Sequence, residues 1–302
     1  MVQIALTMLM LFFPFIEISD DFTVIHDGKT IASVHRSEFI ADVIGKEMID
    51  IDKYDQFLQQ IDQQTYQAPV NAKLDKYGNI VSEQVGYKLN RQKFKHFFYR
   101  YYYGRGHSEI EVPQQPLPPR VDSELLAEIR MKRIGQYVTY FNSRNKQRSH
   151  NISLASEAIN NQVVFPGEVF SFNKIVGKRT KERGYLPAPV IVRGELSEGI
   201  GGGICQVSST LYNAVDYAGL EIVQRYSHSR RVPYVPRGRD ATVSWYGPDF
   251  VFRNKLNQPI LIQSKIYGGQ MIVLIHSSEA IESSQRNIPS APNKLPIEIK
   301  IE

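Results

Sequence analysis

Reactive sulfur is nearly absent from this 302-residue chain, which contains a single cysteine, Cys205. One thiol cannot form an internal disulfide, and it cannot supply the cysteine-rich ligand set of a zinc or iron–sulfur site. We therefore expect no metal and no other cofactor. Cys205 is either a small buried apolar residue or a reactive group.

The chain also lacks a strong excess of charge of one sign. Its 36 Lys and Arg residues and 31 Asp and Glu residues give a net charge of +5. An excess this small argues against a nucleic-acid partner unless the charge is clustered. The chain has 20 glycines, 16 prolines and 42% hydrophobic residues. This composition excludes a collagen-like or largely disordered chain and suits about two globular domains.

The amino terminus carries an apolar run that is shorter than a typical membrane-spanning helix. Val2–Ile16 has no charged residue over 15 positions, whereas a spanning helix needs about 20 apolar residues. This length suits the apolar part of a secretory signal, although no basic residue precedes it and no clear cleavage site follows. We expect residues 1–19 to be a signal-like or membrane-anchor segment and the protein to be extracytoplasmic. A core element of a soluble protein is the alternative.

Proline marks the predicted boundary between two domains. Four prolines lie from Pro113 to Pro119, and such a run cannot continue a regular element, so we expect a stiff, extended linker there. Region 20–118 combines helical spacing, a β-hairpin signal over 70–81 and a basic, aromatic helix over 91–103. These patterns predict a smaller α+β domain.

After the linker, the sequence predicts a β-rich domain over residues 119–278. It begins with a helix whose apolar residues share one side, namely Leu125, Leu126, Ile129, Ile134 and Val138. Glycine-punctuated, alternating segments follow and predict strands. Residues 279–302 are rich in Ser, Pro and Asn, which is typical of a flexible tail. The fold class that we expect is α+β, with the smaller domain first.

The segment Gly199–Gly219, GIGGGICQVSSTLYNAVDYAG, is the candidate site. Apolar residues three and four apart predict a helix after the glycines, so that Cys205 lies in its first turn. Unpaired backbone N–H groups and the helix dipole favour a thiolate there and lower its pKa. The glycines let the backbone approach a ligand and supply N–H groups to an oxyanion. The alternative is a tight turn over Gly201–Gly203, with Cys205 packed in the core.

A cysteine nucleophile needs a base and usually a group that orients the base. His228 is the first histidine after the predicted helix, and Asp240 begins a predicted strand. The order Cys, His, Asp is that of papain-like enzymes, in which a thiol at a helix start faces a histidine. Alternatively, His228 is a surface residue and Asp240 pairs with Arg237 or Arg239.

Basic residues surround this histidine. Five arginines occur before the next acidic residue, namely Arg225, Arg230, Arg231, Arg237 and Arg239. Such a run is usually a solvated face, but arginine forks also bind carboxylates and phosphates in a bidentate manner. For an exported chain, we expect an anionic wall component or a peptide carboxylate as the partner rather than nucleic acid.

Several stretches of the chain resemble the VanW family, which is named for an accessory protein of vancomycin-resistance clusters, and in particular its YoaR-like members. The most specific stretch is Gly201–Ala214, GGGICQVSSTLYNA, and the resemblance covers about residues 151–277. The other matching stretches are Phe165–Asn173, Gly177, Arg179-Thr180, Gly184-Tyr185, Gly219-Leu220, Arg225, His228-Ser229, Tyr234–Pro236, Gly238, Asp240–Val243 and Asp249 through Arg253-Asn254. More weakly, residues 60–118 resemble a peptidoglycan-binding domain that is often found upstream of VanW domains.

The resemblance implies a β-rich VanW-type domain whose glycine loop and following helix carry Cys205. Some VanW-domain proteins are thought to act as L,D-transpeptidases, with this cysteine as the nucleophile. The usual L,D-transpeptidase pattern differs, because there the histidine precedes a cysteine in an S-x-G-C setting.

Two hypotheses follow. The first is an extracytoplasmic, cysteine-dependent peptidoglycan acyltransferase of the L,D-transpeptidase type, or a hydrolase, that acts on stem peptides. In it Cys205 attacks a peptide carbonyl, His228 takes the thiol proton and Asp240 orients the imidazole. The residues expected around the oxyanion and substrate are Gly201, Gly202, Gly203, Gln206, Ser208 and Ser209, and those expected to bind the substrate are Arg225, Arg230, Arg231, Tyr234 and Arg237. The second hypothesis is a non-catalytic accessory protein that binds the wall, in which Cys205 is structural.

Overall fold

The computed structural model describes residues 20–41, 48–192 and 195–293. The predicted signal-like segment, residues 1–19, lies outside the described residues. Helices and strands both recur along the chain, so the predicted α+β class is confirmed. Within the described ranges, no helix is both long and apolar enough to cross a membrane.

The α-helices of the described ranges are α1 (Ile51–Thr65), α2 (Arg91–Tyr103), α3 (Ser123–Ile129), α4 (Lys146–Ile159), α5 (Phe172–Val176) and α6 (Ile204–Tyr217). The strands are β1 (Asp21–His26), β2 (Lys29–His35), β3 (Lys73–Leu74), β4 (Ile80–Val81), β5 (Gly86–Leu89), β6 (Ser108–Glu111), β7 (Gln114–Leu117), β8 (Lys132–Tyr140), β9 (Gln162–Val164), β10 (Val169–Ser171), β11 (Pro187–Val192), β12 (Glu195–Ile200), β13 (Glu221–Gln224), β14 (Val251–Arg253), β15 (Ile260–Tyr267) and β16 (Gln270–Ser277).

The described chain divides into two compact units. One comprises the residues up to Asn71 together with Glu83–Arg120, and the other comprises Ala72–Ser82 together with the chain from Val121 onward. The division after Arg120 lies close to the predicted boundary. The predicted N-terminal region, residues 20–118, differs from the first unit in that it includes Ala72–Ser82. This segment belongs to the second unit because Leu74 on β3 is buried in a hydrophobic cluster of that unit.

The first unit is built around an aromatic core. β1 pairs with β2 in an antiparallel and with β6 in a parallel arrangement. Phe22 on β1 makes edge-to-face contacts with Phe94 and Phe98 on α2, with ring centroids 5.9 and 5.4 Å apart, a geometry that aromatic pairs prefer. The predicted helix over 91–103 is confirmed as α2, which begins after Asn90, whose side chain caps it.

The proline-rich segment is not the linker without regular structure that the sequence predicts. Gln114–Leu117 forms β7, which pairs antiparallel with β5, and Pro116 lies opposite Tyr87 in this ladder. Proline lacks an N–H donor, but it is tolerated in edge strands because no interior ladder bond is lost there. In the described ranges β7 pairs with β5 and with no second strand, so Pro116 lies in an edge strand. The prediction of a linker without regular structure was therefore wrong.

The second unit contains a four-stranded sheet in the order β8–β16–β15–β9. α6 packs against β8 and β16, and α4 packs against β15. The predicted helix through Val138 is wrong in its second half, because α3 ends at Ile129 and Ile134 and Val138 lie in β8. A Cβ at Gly135 of β8 would lie 2.5 Å from the carbonyl oxygen of Ala214 on α6. The packing of strand against helix therefore overrides the helical spacing of this segment.

α6 is the central helix of the second unit and is buried on nearly all sides. Of its 14 residues, 12 are buried, and the other two are Cys205 and Tyr217. A helix surrounded in this way forms the core of a domain. Cys205 is the one partly exposed position at its amino-terminal end.

Residues 279–293 do not form the flexible tail that the sequence predicts. Ile281 and Ala291 are buried in the core of the second unit. Arg286 Nη1 lies 2.6 Å from Asp216 Oδ1 at the end of α6. The segment has no helix or strand, but its buried apolar residues and this ion pair hold it against the core of the second unit. Residues 294–302 lie outside the described ranges.

Candidate active site

The glycine loop before α6, Gly201–Gly203, has a backbone that glycine adopts more readily than other residues. Gly201 and Gly203 have φ angles of 87° and 105°, in the left-handed region. A Cβ at Gly202 would lie 2.6 Å from the carbonyl oxygens of Ala188 and Pro189 on β11. The loop therefore lies against β11 and leads directly into α6, whose second residue is Cys205.

Cys205, His228 and Asp240 meet at this end of α6. His228 Nδ1 lies 2.7 Å from Asp240 Oδ2, and the His228 backbone N–H donates to the same oxygen at 2.6 Å. The charge of the imidazole also acts on the Cys205 sulfur, and both residues line the cleft described below. The side chains of His228 and Asp240 are only 6% and 9% exposed. A thiol, an imidazole and a carboxylate thus stand in series, as cysteine nucleophile chemistry requires.

The electrostatics of this series favour a thiolate beside an imidazolium. Burial alone would raise the pKa of Cys205, but the hydrogen bond and charge of His228 outweigh burial and hold it below its ordinary value. Burial lowers the pKa of His228, whereas the hydrogen bonds to Asp240 and Cys205 raise it to about 9. Burial would raise the pKa of Asp240, but the hydrogen bonds from His228 hold it below its usual range. These shifts favour the thiolate, the imidazolium and the carboxylate over the neutral forms of the three groups.

The chain that follows Asp240 supplies further neighbours of the thiol. Cys205 Sγ lies 3.8 Å from the Thr242 hydroxyl oxygen and 3.6 Å from the Val243 carbonyl oxygen. The strand predicted to begin at Asp240 is absent, because residues 240–244 form neither helix nor strand. The irregular backbone lets this segment follow the end of α6.

Ser208 and Ser209 hold that segment in place. Both are fully buried and neither lines the cleft described below. The Ser208 hydroxyl donates to the Ala241 carbonyl at 2.5 Å, and the Ala241 N–H donates to the Ser209 hydroxyl at 2.9 Å. These contacts correct the predicted role of the two serines around the oxyanion, because their hydroxyls are committed to backbone that positions Asp240.

Two further members of the predicted loop are also engaged within the protein. The Gly201 N–H donates to the Leu186 carbonyl at 3.1 Å, so this amide is not a free donor. Gln206 is buried and accepts a hydrogen bond from Arg148 Nη2 at 2.7 Å. An oxyanion hole made of amides within Gly203–Cys205 stays a prediction.

A cleft of about 1060 Å³ opens in the second unit beside Cys205. The glycine loop and the segments 227–234 and 242–248 form much of its wall. Its basic lining side chains are Arg148, Lys178, Arg179, His228, Arg230 and Arg231. No acidic side chain lines it among the residues that the structure describes. A cleft lined by one sign of charge concentrates ligands of the opposite sign, so this one suits an anionic ligand.

The predicted substrate-binding side chains divide into two groups. Those that line the cleft are Arg230, Arg231 and Tyr234. Arg225 does not line it and instead donates to the Asp240 carbonyl at 2.8 Å, so it fixes the loop. Arg237 is exposed elsewhere. The alternative pairing of Asp240 with Arg237 or Arg239 is wrong, because Asp240 binds His228 and Arg239 binds Asp216 at 2.7 Å.

Sequence reasoning missed two arginines of the cleft, Arg148 and Arg179. Both lie well before the glycine loop in the chain, and no spacing of residues around them indicates a site. Arg148 reaches the site because α4, which carries it, packs against α6. Arg179 packs against the glycine loop, because a Cβ added at Gly201 would lie 3.2 Å from the Cβ of Arg179. The one signal for Arg179 was its place in a stretch that resembles the VanW family.

One group of described side chains has the chemistry to hold a metal ion, and it belongs to the first unit. It consists of His26, Asp27 and Glu111. The Asp27 N–H donates to Glu111 Oε1 at 3.0 Å, and both carboxylates are exposed. Such groups commonly occur without an ion, so we assign no metal to it.

Three comparisons relate the chain to known proteins. The family model described as VanW like protein matches residues 147–276. The chain is 59% identical over its whole length to "Uncharacterized protein YoaR" of Bacillus subtilis (strain 168), with both chains fully covered. It is 33% identical over 109 residues to "Vancomycin B-type resistance protein VanW" of Enterococcus faecalis (strain ATCC 700802 / V583), covering 34% of this chain and 40% of that protein. No solved structure matches. The resemblance of residues 60–118 to a peptidoglycan-binding domain stays a prediction, since the family match begins at residue 147.

Proposed function

Because the chain belongs to the VanW family, we propose that it is a cysteine-dependent acyltransferase of the L,D-transpeptidase type that acts on peptidoglycan stem peptides outside the cytoplasm. One observation carries the proposal. The His228 imidazole is held by Asp240 at 2.7 Å and interacts with the Cys205 sulfur in the wall of a basic cleft. A structural cysteine has no need of a charged base and an orienting carboxylate.

The first half of the reaction forms a thioester. The Cys205 thiolate attacks the carbonyl carbon of a peptide bond, and the electron pair moves onto the carbonyl oxygen. When the carbonyl re-forms, the carbon–nitrogen bond breaks, and the imidazolium of His228 gives its proton to the leaving amine. Asp240 holds the ring and stabilises its positive charge.

The second half transfers the acyl group. An amine, or water, attacks the thioester carbonyl and gives a proton to the now neutral His228, and the carbon–sulfur bond breaks to restore the thiolate. An amine acceptor yields a cross-link, whereas water yields a trimmed peptide. The same thiol and imidazole serve both outcomes, so the acceptor decides between them.

The lining of the cleft supports a second candidate, a non-catalytic protein that binds an anionic wall polymer. Six basic side chains and no described acidic side chain face this space. The printed name of one relative, a vancomycin B-type resistance protein, fits an accessory role at the wall equally well. Under this candidate Cys205 is dispensable for binding.

Muropeptide analysis separates the two candidates. Purified sacculi are incubated with the wild-type chain, with Cys205→Ala and with Arg144→Gln, an exposed arginine outside the cleft. The acyltransferase predicts new cross-linked or trimmed muropeptides with the wild type and Arg144→Gln but not with Cys205→Ala. If all three proteins sediment with sacculi and none changes the muropeptides, the binding candidate replaces the enzyme.

The location outside the cytoplasm is part of the proposal and is tested separately. A fusion of residues 1–30 to a reporter enzyme that folds only after export should be active if residues 1–19 act as a signal or an anchor. An inactive fusion beside an active fusion carrying a known signal would contradict the export of this chain.

A further inference from the structure

Arg179 places a buried, unsatisfied cation in the wall of the cleft. Neither Nη1 nor Nη2 of its guanidinium is exposed, and neither has a hydrogen-bond partner among the described residues. The guanidinium carbon lies 5.7 Å from the centre of the Phe172 ring, which backs it on one face. Buried polar groups in folded proteins are nearly always paired, so an orphaned guanidinium in a cleft indicates that a ligand supplies the acceptor.

The carboxylate whose charge acts on Arg179 is already occupied. That carboxylate is Asp249, whose Oδ2 accepts from the Ser171 hydroxyl at 2.6 Å and whose Oδ1 accepts from the Asn173 N–H at 2.9 Å. No ion pair between Asp249 and Arg179 occurs in the described part of the chain. The donors of Arg179 are therefore left for a molecule that enters the cleft.

Arg179 also lies close to the nucleophile. It packs on Gly201 in the loop before α6, and its charge interacts with the Cys205 sulfur. One residue of extended peptide spans about 3.3–3.6 Å. A carboxylate that follows the attacked carbonyl by one residue therefore lies within a few ångströms of the sulfur. In a peptide, the group at that position is the α-carboxylate of a C-terminal residue.

We propose that Arg179 binds the α-carboxylate of the C-terminal amino acid that leaves when Cys205 attacks the preceding carbonyl. This inference rests on the proposed function and adds the substrate class, a peptide acyl donor with a free C-terminal carboxylate. The sulfur–carbon bond forms, the carbon–nitrogen bond breaks, and the leaving residue departs as a free amino acid with a proton from His228. A guanidinium fork binds both carboxylate oxygens, whereas a C-terminal amide offers one acceptor and no charge.

Two alkylating reagents test Arg179 without any peptide. Iodoacetate and iodoacetamide both transfer a two-carbon group to the thiolate and release iodide, but only iodoacetate carries a carboxylate. The ratio of their rates at Cys205 cancels changes in the thiolate fraction, because both reagents need the same thiolate. The ratio of the iodoacetate rate to the iodoacetamide rate should fall about ten-fold in Arg179→Gln, because this variant loses a charge-assisted bidentate contact. It should fall less in Arg179→Lys. It should not change in Arg144→Gln.

The contradicting outcomes are distinct. An unchanged ratio in Arg179→Gln, with an unchanged circular dichroism spectrum, would overturn the proposal. The rate ratio could also fall equally in Arg144→Gln, or the ratio of the wild type could drop at raised salt to the value of Arg179→Gln. Either result would assign the preference for iodoacetate to the screened field of surface charges and would overturn the proposal too. Arg179→Lys keeps the charge in place, so it still decides the question if Arg179→Gln does not fold.

A pair of peptides then links Arg179 to the reaction. A stem peptide with a free C-terminal carboxylate and the same peptide as a C-terminal amide are compared for thioester formation on the full-length wild type and Arg179→Gln. The wild type should prefer the free acid, and Arg179→Gln should lose that preference. If neither peptide acylates the wild type while the iodoacetate ratio still depends on Arg179, the carboxylate site stands and the proposed acyl transfer fails.

Discussion

Replacing His228 with alanine should slow the alkylation of Cys205 at neutral pH about ten-fold. Burial lowers the pKa of His228, but the hydrogen bonds to Asp240 and Cys205 raise it from 6.5 to about 9. The thiolate is therefore one of the two groups that stabilise the imidazolium. Loss of about one pKa unit of this mutual stabilisation changes the thiolate population about ten-fold. Since the interaction is mutual, its loss withdraws the same free energy from the thiolate.

The assay is the rate of iodoacetamide alkylation as a function of pH. In the wild type, the rate should rise with pH at the lowered pKa of Cys205, while His228 stays protonated up to about pH 9. In His228→Ala the imidazolium is gone, so the rise should move to higher pH. The matched control is His96→Ala, an exposed histidine of the first unit, which should leave the profile unchanged. Superimposable profiles for the wild type and His228→Ala would refute the pairing and leave the thiol without an identified base.

Three further predictions concern the scaffold of the site. Asp240→Asn removes the negative charge beside His228 but leaves the ring in place, so it should lower the pKa of His228 in an NMR titration and reduce turnover less than His228→Ala does. Equal losses of turnover would contradict the supporting role of Asp240. Gly202→Ala places a methyl group 2.6 Å from the Ala188 carbonyl oxygen, so urea denaturation should show a free energy of unfolding that is lower by about 1–3 kcal/mol because of overpacking. An unchanged urea midpoint would mean that the loop is not held against β11. Truncation after Ser278 removes the buried side chain of Ile281, so it should lower the free energy of unfolding by at least about 1.5–3 kcal/mol. A truncated protein with the melting temperature of the full chain would show that residues 279–293 do not contribute to the core.

The local position of Cys205 could be predicted from the sequence. A glycine run followed by helical spacing is a short-range signal, and it correctly gave the first-turn position of Cys205. The order of Cys205, His228 and Asp240 suggested a series that the fold brings together. These placements could be predicted because each depends on neighbours in the chain or on a few residue types with distinctive chemistry.

The remaining features depend on contacts between distant segments, which a single sequence does not reveal. Ser208 and Ser209 share α6 with Cys205, yet their hydroxyls bind the backbone of Ala241. Arg179 enters the cleft through its packing on the glycine loop, and no spacing in the sequence indicates this. Pro116 joins β7 because this strand pairs with β5 and with no second strand in the described ranges. Composition and periodicity carry no information about such partners.

The central claim is that Cys205 forms a thioester with a wall peptide, and intact-protein mass spectrometry tests it most directly. Stem peptides released from sacculi are mixed with the full-length protein, and the reaction is stopped with acid before the acceptor step is complete. The account predicts a mass increase equal to the acyl part of the peptide on the wild type, located on Cys205 by fragmentation and absent in Cys205→Ala. A wild-type thiol that iodoacetamide alkylates readily, but that gains no acyl mass from any stem peptide, would contradict the account.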